Sequence, residues 1–398
     1  MTERSKKNSS ATRESNLALQ LGVITFSRTV NYTGLRMVFP FLPLLARGMG
    51  VTLETAALAL TIRSLMGLLS PVLGAVGDVR GRKWAQRMGL TLLALGMLIP
   101  GLLATYPAFL LGNLFFGLGI VIFDPAIQAY VGDSVPYRRR ATAMAVVEMG
   151  WSIAFLIGIP VVGRVISEEN WNLPFLGVAG LILLSLILVQ WVLPESVGTV
   201  GKRPDLKAGL RIAVRHRPSM AAILVSFLMV LGSRGLMVIY GAWFEEVFQM
   251  SARILGDVSS AIGVAGLLGL ILVGVLTDRL GKKLSLGLGL GISLLAALGL
   301  PFLKSTLSLT VGALFVYYLA FEFALVTGLS LVSELRPAAR ATLMAFNAAA
   351  VSAGDALGTF LGPRLFKGSI APNVTALVIL NAAALLVLVL FVRDDARG

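Results

Sequence analysis

Cysteine is absent from this sequence, and histidine occurs once, at His216. The first absence excludes disulfides, thiol catalysis and cysteine metal sites. The second excludes a zinc or haem site built from several imidazoles. Charge is also scarce. Of the 398 residues 14% are Asp, Glu, Lys or Arg, whereas soluble domains carry about 25%. Hydrophobic residues reach 57%, and a soluble chain of that composition lacks the polar surface to cover its core. There is no Gly-x-x-x-x-Gly-Lys-Ser/Thr loop, so direct use of ATP is not expected. No selectivity-filter repeat points to a channel. No serine–histidine pair falls within the apolar runs, so the chain does not read as an enzyme and calls for no cofactor.

What is present is a series of long apolar runs. Many exceed the roughly 18 residues that mark a membrane helix, which makes this an all-α membrane protein. Hydropathy gives twelve candidate spans, at roughly 17–45, 54–76, 86–104, 107–131, 141–166, 173–193, 219–247, 254–278, 284–303, 307–334, 341–366 and 373–392. The polar tail Met1–Asn16 is not expected to be a cleaved leader, because the apolar run after it is too long.

The net charge of +14 would suggest nucleic acid in a soluble protein. Here the cations sit in short loops, so no nucleic-acid partner is expected. Arg80, Arg82, Lys83 and Arg87 follow span 2, and Arg138, Arg139 and Arg140 follow span 4. Lys202, Arg203, Lys207, Arg211, Arg215 and Arg217 follow span 6; Arg279, Lys282 and Lys283 follow span 8; Arg336 and Arg340 follow span 10. Odd-numbered loops are poorer in cations. The positive-inside rule therefore expects both termini and all even-numbered loops in the cytoplasm, with the protein in the cell membrane, the cytoplasmic membrane if the source is bacterial.

The longest polar stretch, Glu195–Pro218, splits the spans six and six. It reads as a linker carrying a basic amphipathic helix on the membrane surface. The expected organisation is a tail over 1–16, a six-helix bundle over 17–193, the linker over 194–218, a second bundle over 219–392 and a tail over 393–398. The halves repeat. Gly74-Ala-Val-Gly-Asp78-Val-Arg80-Gly81-Arg82-Lys83 follows span 2, and Gly274-Val-Leu-Thr-Asp278-Arg279-Leu-Gly281-Lys282-Lys283 follows span 8. Asp78 and Asp278 differ by 200 positions. The same offset relates Arg140-Ala-Thr-Ala-Met-Ala to Arg340-Ala-Thr-Leu-Met-Ala, and Gly158 to Gly358. Two separated motifs with one offset indicate duplication of a six-span unit, an architecture of transporters that alternate access about a midplane site.

These residues resemble the major facilitator superfamily over essentially the whole chain. The Gly274–Lys283 copy fits the family's loop motif fully, and the first copy departs only in having Val79 where the family has a base. The resemblance implies two pseudo-symmetric six-helix bundles and a monomer. A finer resemblance is to the drug:proton antiporter branch. Span 5 carries Gly150, Gly158, Pro160 and Gly163, similar to that branch's small-residue motif, with Ile159 inserted between Gly158 and Pro160. Prolines near the outer end of span 1, here Pro40 and Pro43, are also common there. The branch's span-4 arginine is absent; Asn113 stands before Gly117 and Gly119 instead.

In the fold this resemblance implies, span 2 faces span 11 and span 8 faces span 5. Asp78 is then expected near Arg340 and Asp278 near Arg140, where each carboxylate would meet a helix N-terminus as well as a guanidinium. Such contacts would close the cytoplasmic side and open in the alternate state. The alternative is that these loop charges only set topology. The span-5 glycines are expected to allow close packing against span 8, with or without a gating role.

Ionisable groups at bilayer depth cost at least about 2.5–3.5 kcal/mol each, so they need partners or a wet cavity. Arg28, Arg36, Arg63, Asp124, Glu148, Arg234, Glu322 and Asp355 lie at such depths, with polar Asn31, Tyr32, Gln128, Asn347 and Ser352. Arg28 and Arg36 sit about 80° apart around a helix of 3.6 residues per turn, so they can border one cavity. Asp124 or Glu148 is placed to offset one of them. Arg63 and Arg234 are left open between the cavity and a snorkelling position near an interface. Asp124 precedes Pro125 and could instead serve a local helix break. Trp151, Tyr240, Trp243, Tyr317 and Tyr318 read mainly as packing or interface anchors.

The leading expectation is proton-coupled efflux, by antiport, of a small amphipathic or lipophilic compound, with a buried carboxylate carrying the proton. The alternative is an organic-anion or lipid-headgroup carrier that uses the span-1 arginines, favoured if Arg28 and Arg36 stand unpaired. A non-transporting receptor or scaffold on the same fold is a third reading.

Overall fold

The structure, a computed structural model, describes residues 3–73, 76–136, 139–195, 216–303, 306–336 and 340–392. Every regular element among them is helical. Among the described residues nine helices are long and apolar enough to cross a membrane: Arg82–Leu103, Tyr106–Ser134, Thr142–Val165, Leu173–Val192, Arg217–Phe248, Ala252–Leu280, Lys282–Phe302, Leu307–Glu334 and Ala371–Phe391. They coincide with expected spans 3 to 10 and 12. Spans 1, 2 and 11 are helical too, over Glu3–Arg36 and Val38–Gly48, over 53–73 and Val76–Arg80, and over Arg340–Leu365, and they carry Arg28, Arg36, Arg63 and Asp355. The first helix begins at Glu3, so the expected tail 1–16 continues span 1 rather than standing apart from it. Most of the linker and the tail 393–398 lie outside the described residues.

Local sequence explains where the helices begin and break. Thr52 caps span 2 by accepting from the Thr55 amide at 3.2 Å, Thr105 caps span 4 through Ala108, and Ser251 caps span 8 through Ile254. Span 1 is interrupted at Met37. A proline lacks an amide hydrogen and crowds the carbonyl four residues back, and Pro40 sits four residues after Arg36. Span 5 contains a π-helical turn, Ala154–Gly158, just ahead of Pro160. Pro125, by contrast, is accommodated inside an unbroken span 4. No helix break there needs Asp124.

Within the first half, span 3 packs on spans 4 and 6, span 1 on spans 5 and 6, and span 2 on span 4. The second half repeats this with every number raised by six: 9 on 10 and 12, 7 on 11 and 12, 8 on 10. Between halves, span 2 meets span 11 and span 5 meets span 8. The architecture is therefore two bundles of like topology related by a pseudo-two-fold axis, as the repeated motifs require. Large apolar side chains such as Trp191, Phe302, Leu102 and Ile379 point outward and stay exposed, as a lipid-facing surface demands. Arg28 and Arg63 lie inside.

Candidate functional site

The seam between the bundles holds a cavity of about 210 Å³. Phe39 lies on its wall, and three guanidiniums surround that ring: Arg36 at 5.8 Å, Arg63 at 5.5 Å and Arg234 at 5.9 Å from its centre. Any two therefore lie within about 12 Å of each other. At an effective dielectric of about 20, each pair repels by at least roughly 1.4 kcal/mol. One carboxylate stands among them. Asp355 of span 11 pairs with Arg234 of span 7 and accepts from Ser64 of span 2, so it ties the two bundles together. Arg36 and Arg63 have only neutral close partners among the described residues. Arg36 reaches the Met237 sulfur at 3.8 Å, and Arg63 donates to Asn113 Oδ1 at 3.4 Å.

A second cluster lies inside the first bundle. Arg28 of span 1 is buried and pairs with Glu148 of span 5 at 2.8 Å. The Glu148 side chain is 38% exposed, so the pair has one wet face. Tyr32, one turn on, donates its hydroxyl to Asp124 of span 4 at 3.2 Å. Arg28 also approaches Tyr32, at 3.4 Å. One guanidinium thus serves two carboxylates, directly and through a phenol.

The two ends of the molecule differ. At the end carrying the odd-numbered loops, Arg47 of span 1 bridges Glu168 at 2.5 Å and Glu245 of span 7 at 2.6 Å. Arg164 of span 5 pairs with Asp257 of span 8 at 2.9 Å. Just inside, Gly241 of span 7 sits so close to span 1 that a Cβ there would be 2.1 Å from the Pro40 carbonyl oxygen. This end is closed across the bundles. At the other end the loop-motif ion pairs between described residues lie within each bundle. Gly81 and Gly281 have φ of 95° and 84°, a conformation that side chains with a Cβ rarely adopt. That turn lets Arg82 pair with Asp133 at 3.1 Å and Lys83 with Glu195 at 3.0 Å. In the second half Lys282 pairs with Glu334, and Lys283 reaches the Val389 carbonyl at 3.4 Å.

Comparison with known proteins agrees with this geometry. The family model described as Major Facilitator Superfamily matches residues 24–363. The chain belongs to the major facilitator superfamily. Among its relatives in that superfamily is "Multidrug resistance protein 2" of Bacillus subtilis (strain 168), 24% identical over 353 residues, covering 85% of this chain and 86% of the relative. "Inner membrane transport protein YdhP" of Escherichia coli (strain K12) is 25% identical over 364 residues, covering 88% and 89%. Of solved structures, a D-xylose-proton symporter superposes with a TM-score of 0.78 at 16% identity, covering 95% of this chain and 98% of that one. At that identity the likeness concerns the fold. This superfamily protein is thus a multi-pass membrane transporter, and its fold is not that of an enzyme.

Against that superfamily frame, the expected site residues separate into groups. Arg28, Tyr32, Asp124 and Glu148 come together, and so do Arg36, Arg234 and Asp355. Of the two span-1 arginines, Arg28 is held by Glu148, while Arg36 lines the seam cavity beside Phe39. Glu322 of span 10 lies within electrostatic reach of Arg36 and Arg234. Asn31 and Asn347 are buried, with side-chain oxygens that have no partner. Gln128 is exposed and joins neither cluster. In span 5, Gly163 faces Ala252 and Gly256 of span 8 as expected, but Gly150 and Gly158 pack on span 1 instead, against Thr29 and Thr33. Pro160 abuts Gly256.

For the loop motif, Gly74 and the side chain of Asp78 lie outside the described residues. Gly274 faces open space. Asp278 and Arg279 are exposed, and neither forms an ion pair among the described residues. The expected pairing of Asp278 with Arg140 is absent here. Arg140 donates instead to the Val135 carbonyl at 2.9 Å, and Arg340 to the Ser333 carbonyl at 2.8 Å.

Arg63 is the residue that sequence reasoning placed least well. It is 6% exposed and does not snorkel. It donates to Asn113 Oδ1 of span 4 at 3.4 Å. Its depth in span 2 was legible in the sequence, but its contact with Asn113 of span 4 was not.

Proposed function

We propose that this protein is a proton-coupled antiporter that exports a small amphipathic or lipophilic compound from the cell. It does so by alternating access, with the two bundles rocking about the seam. Both termini and the even-numbered loops face the cytoplasm, so the closed, odd-loop end is external. A single copy contains both walls of the cavity, which is all a monomer needs.

The observation that carries this reading is the Arg28–Glu148 pair beside Tyr32 and Asp124. A half-wet carboxylate with one buried cation for a partner can lose that partner to a proton. Protonating Glu148 releases Arg28 toward Asp124, and the change lies on spans 1, 4 and 5, next to the moving seam. The likeness to a relative named a multidrug resistance protein supports export of drug-like compounds.

Reconstitution into liposomes with a trapped pH indicator tests it. A lipophilic dye flowing in one direction is expected to drive protons in the other. Glu148→Gln should leave a folded, monodisperse protein whose dye flux no longer moves protons. Dye flux in the unsubstituted protein with no accompanying proton movement would overturn the proposal.

A further inference from the structure

We infer that the cavity around Phe39 is an anion site. It takes the carboxylate, phosphate or sulfate head of a single-chain amphiphile, held jointly by Arg36 and Arg63 of one bundle and Arg234 of the other. This deepens the transporter reading above and rests on it.

Three observations carry it. The first is charge. Three guanidiniums share the seam with Asp355 and, within electrostatic reach, Glu322. Even with both acids ionised, one positive charge is left over. Asp355 is already engaged by Arg234 and Ser64, which leaves Arg36 and Arg63 with no carboxylate in contact. The second is burial. Arg63 is 6% exposed, and the Arg36 Nε is buried with no hydrogen-bond partner among the described residues. An arginine fork presents donors at the geometry of a carboxylate or phosphate, and here an unused donor stands on the wall of a cavity. The third is shape. Apart from the hydroxyls of Ser64 and Ser352, the remaining wall is apolar, with Leu35, Ile120, Val121 and Val351 beside the ring of Phe39. A charged head with a hydrocarbon tail matches both parts of that lining, and an inorganic anion matches only one.

The position has a consequence for transport. An anion bound between Arg36, Arg63 and Arg234 neutralises repulsion across the seam, so it favours the state in which the bundles close on it. It also competes with Asp355 for Arg234, so removal of the internal acid should improve binding. A purely structural role for Asp355 predicts the opposite.

The test is binding, without any gradient, to the full chain in zwitterionic nanodiscs, followed by calorimetry. Octyl phosphate and octanoate are compared with octyltrimethylammonium and with inorganic phosphate. The expected order is octyl phosphate and octanoate bound, inorganic phosphate at least tenfold weaker, and no saturable binding of the ammonium. Arg36→Gln and Arg63→Gln should each weaken octyl phosphate about tenfold, Arg63→Lys less, and Asp355→Asn should tighten it several-fold. If Arg63→Gln does not fold, the sign of the Asp355→Asn effect still decides. Nanodiscs containing phosphatidylglycerol separate the sources: competition identifies membrane lipid as the amphiphile, and its absence identifies a soluble one.

Equal binding of cation and anion, or weaker anion binding in Asp355→Asn, overturns the proposal. Because no gradient is used, failure here is distinct from failure of proton coupling. Anion binding with no proton movement removes the antiport reading alone. Proton-coupled dye export with no anion binding removes this inference alone.

Discussion

Two buried arginines show how differently one residue type is treated. Arg28, 3% exposed, is matched to Glu148 and, through Tyr32, to Asp124. Removing one member of a buried pair costs about 3–5 kcal/mol, because the other charge is stranded. Glu148→Gln keeps an amide oxygen for Arg28 and leaves Asp124 nearby, whereas Arg28→Ala leaves both Glu148 and Asp124 without their shared cation. Arg28→Ala is therefore expected to lower the melting temperature clearly, and more than Glu148→Gln does; equal shifts would show that sharing of Arg28 between two acids is not the governing term. Arg63 is matched to a neutral amide, an arrangement that lacks a stability rationale and leaves its charge for something else. Gly241 makes a third residue-scale point. Its hydrogen is all that fits beside the Pro40 carbonyl. Gly241→Val should force spans 1 and 7 apart. Introduced thiols at that end, which the cysteine-free sequence makes specific, should then label faster. Unchanged labelling would mean the backbone can yield there.

At the scale of elements, prolines set where the helices give way. Pro40 leaves the Arg36 carbonyl without its usual donor, and span 1 turns at Met37. That turn separates the arm bearing Arg28 and Arg36 from the arm bearing Phe39 and Arg47, so one span serves both clusters and the closed end. Pro40→Ala restores the missing amide hydrogen. It should produce a continuous helix, seen as slower amide exchange over residues 36–41 and as weaker transport, because Phe39 is re-aimed away from the arginines. Exchange as fast as in the unsubstituted protein would place the cause of the turn elsewhere. Span 7 breaks at the matching depth, over Val238–Ile239, so both bundles bend beside the seam.

For the whole molecule, the odd-loop closure rests on Arg47 and Arg164 and on the packing of spans 1 and 7. Arg47 is 44% exposed, and exposed pairs contribute about 0.2–1 kcal/mol each. Losing its two pairs should shift the balance between closed and open forms by roughly 2- to 30-fold, since about 1.4 kcal/mol is a factor of ten. Spin labels at Ser167 and Gln249 in an Arg47→Gln variant should report a larger share of long distances. No change would leave Arg164–Asp257 and the packing of spans 1 and 7 as the latch. The loop motifs at the opposite end brace each bundle internally in this state, through Arg82–Asp133 and Lys282–Glu334, which lets each bundle move as a unit.

Much of this was written in the chain order. Long apolar runs compel helices, because no water satisfies backbone groups within a bilayer. The 200-residue offset between Asp78 and Asp278 compels two like bundles. Depth alone marked Arg28, Arg36, Glu148 and Asp355 as unusual, since a charge in hydrocarbon needs a reason. Pairing could not be read this way. Arg28 and Glu148 are 120 positions apart, and Arg63 and Asp355 are further still. Which acid meets which base depends on how the helices rotate and on which bundle faces which. Hydropathy fixes a residue's depth but says nothing of its azimuth or its neighbours across a seam. Tertiary packing therefore decided that Arg28 is neutralised, and that Arg36, Arg63 and Arg234 converge on one aromatic ring.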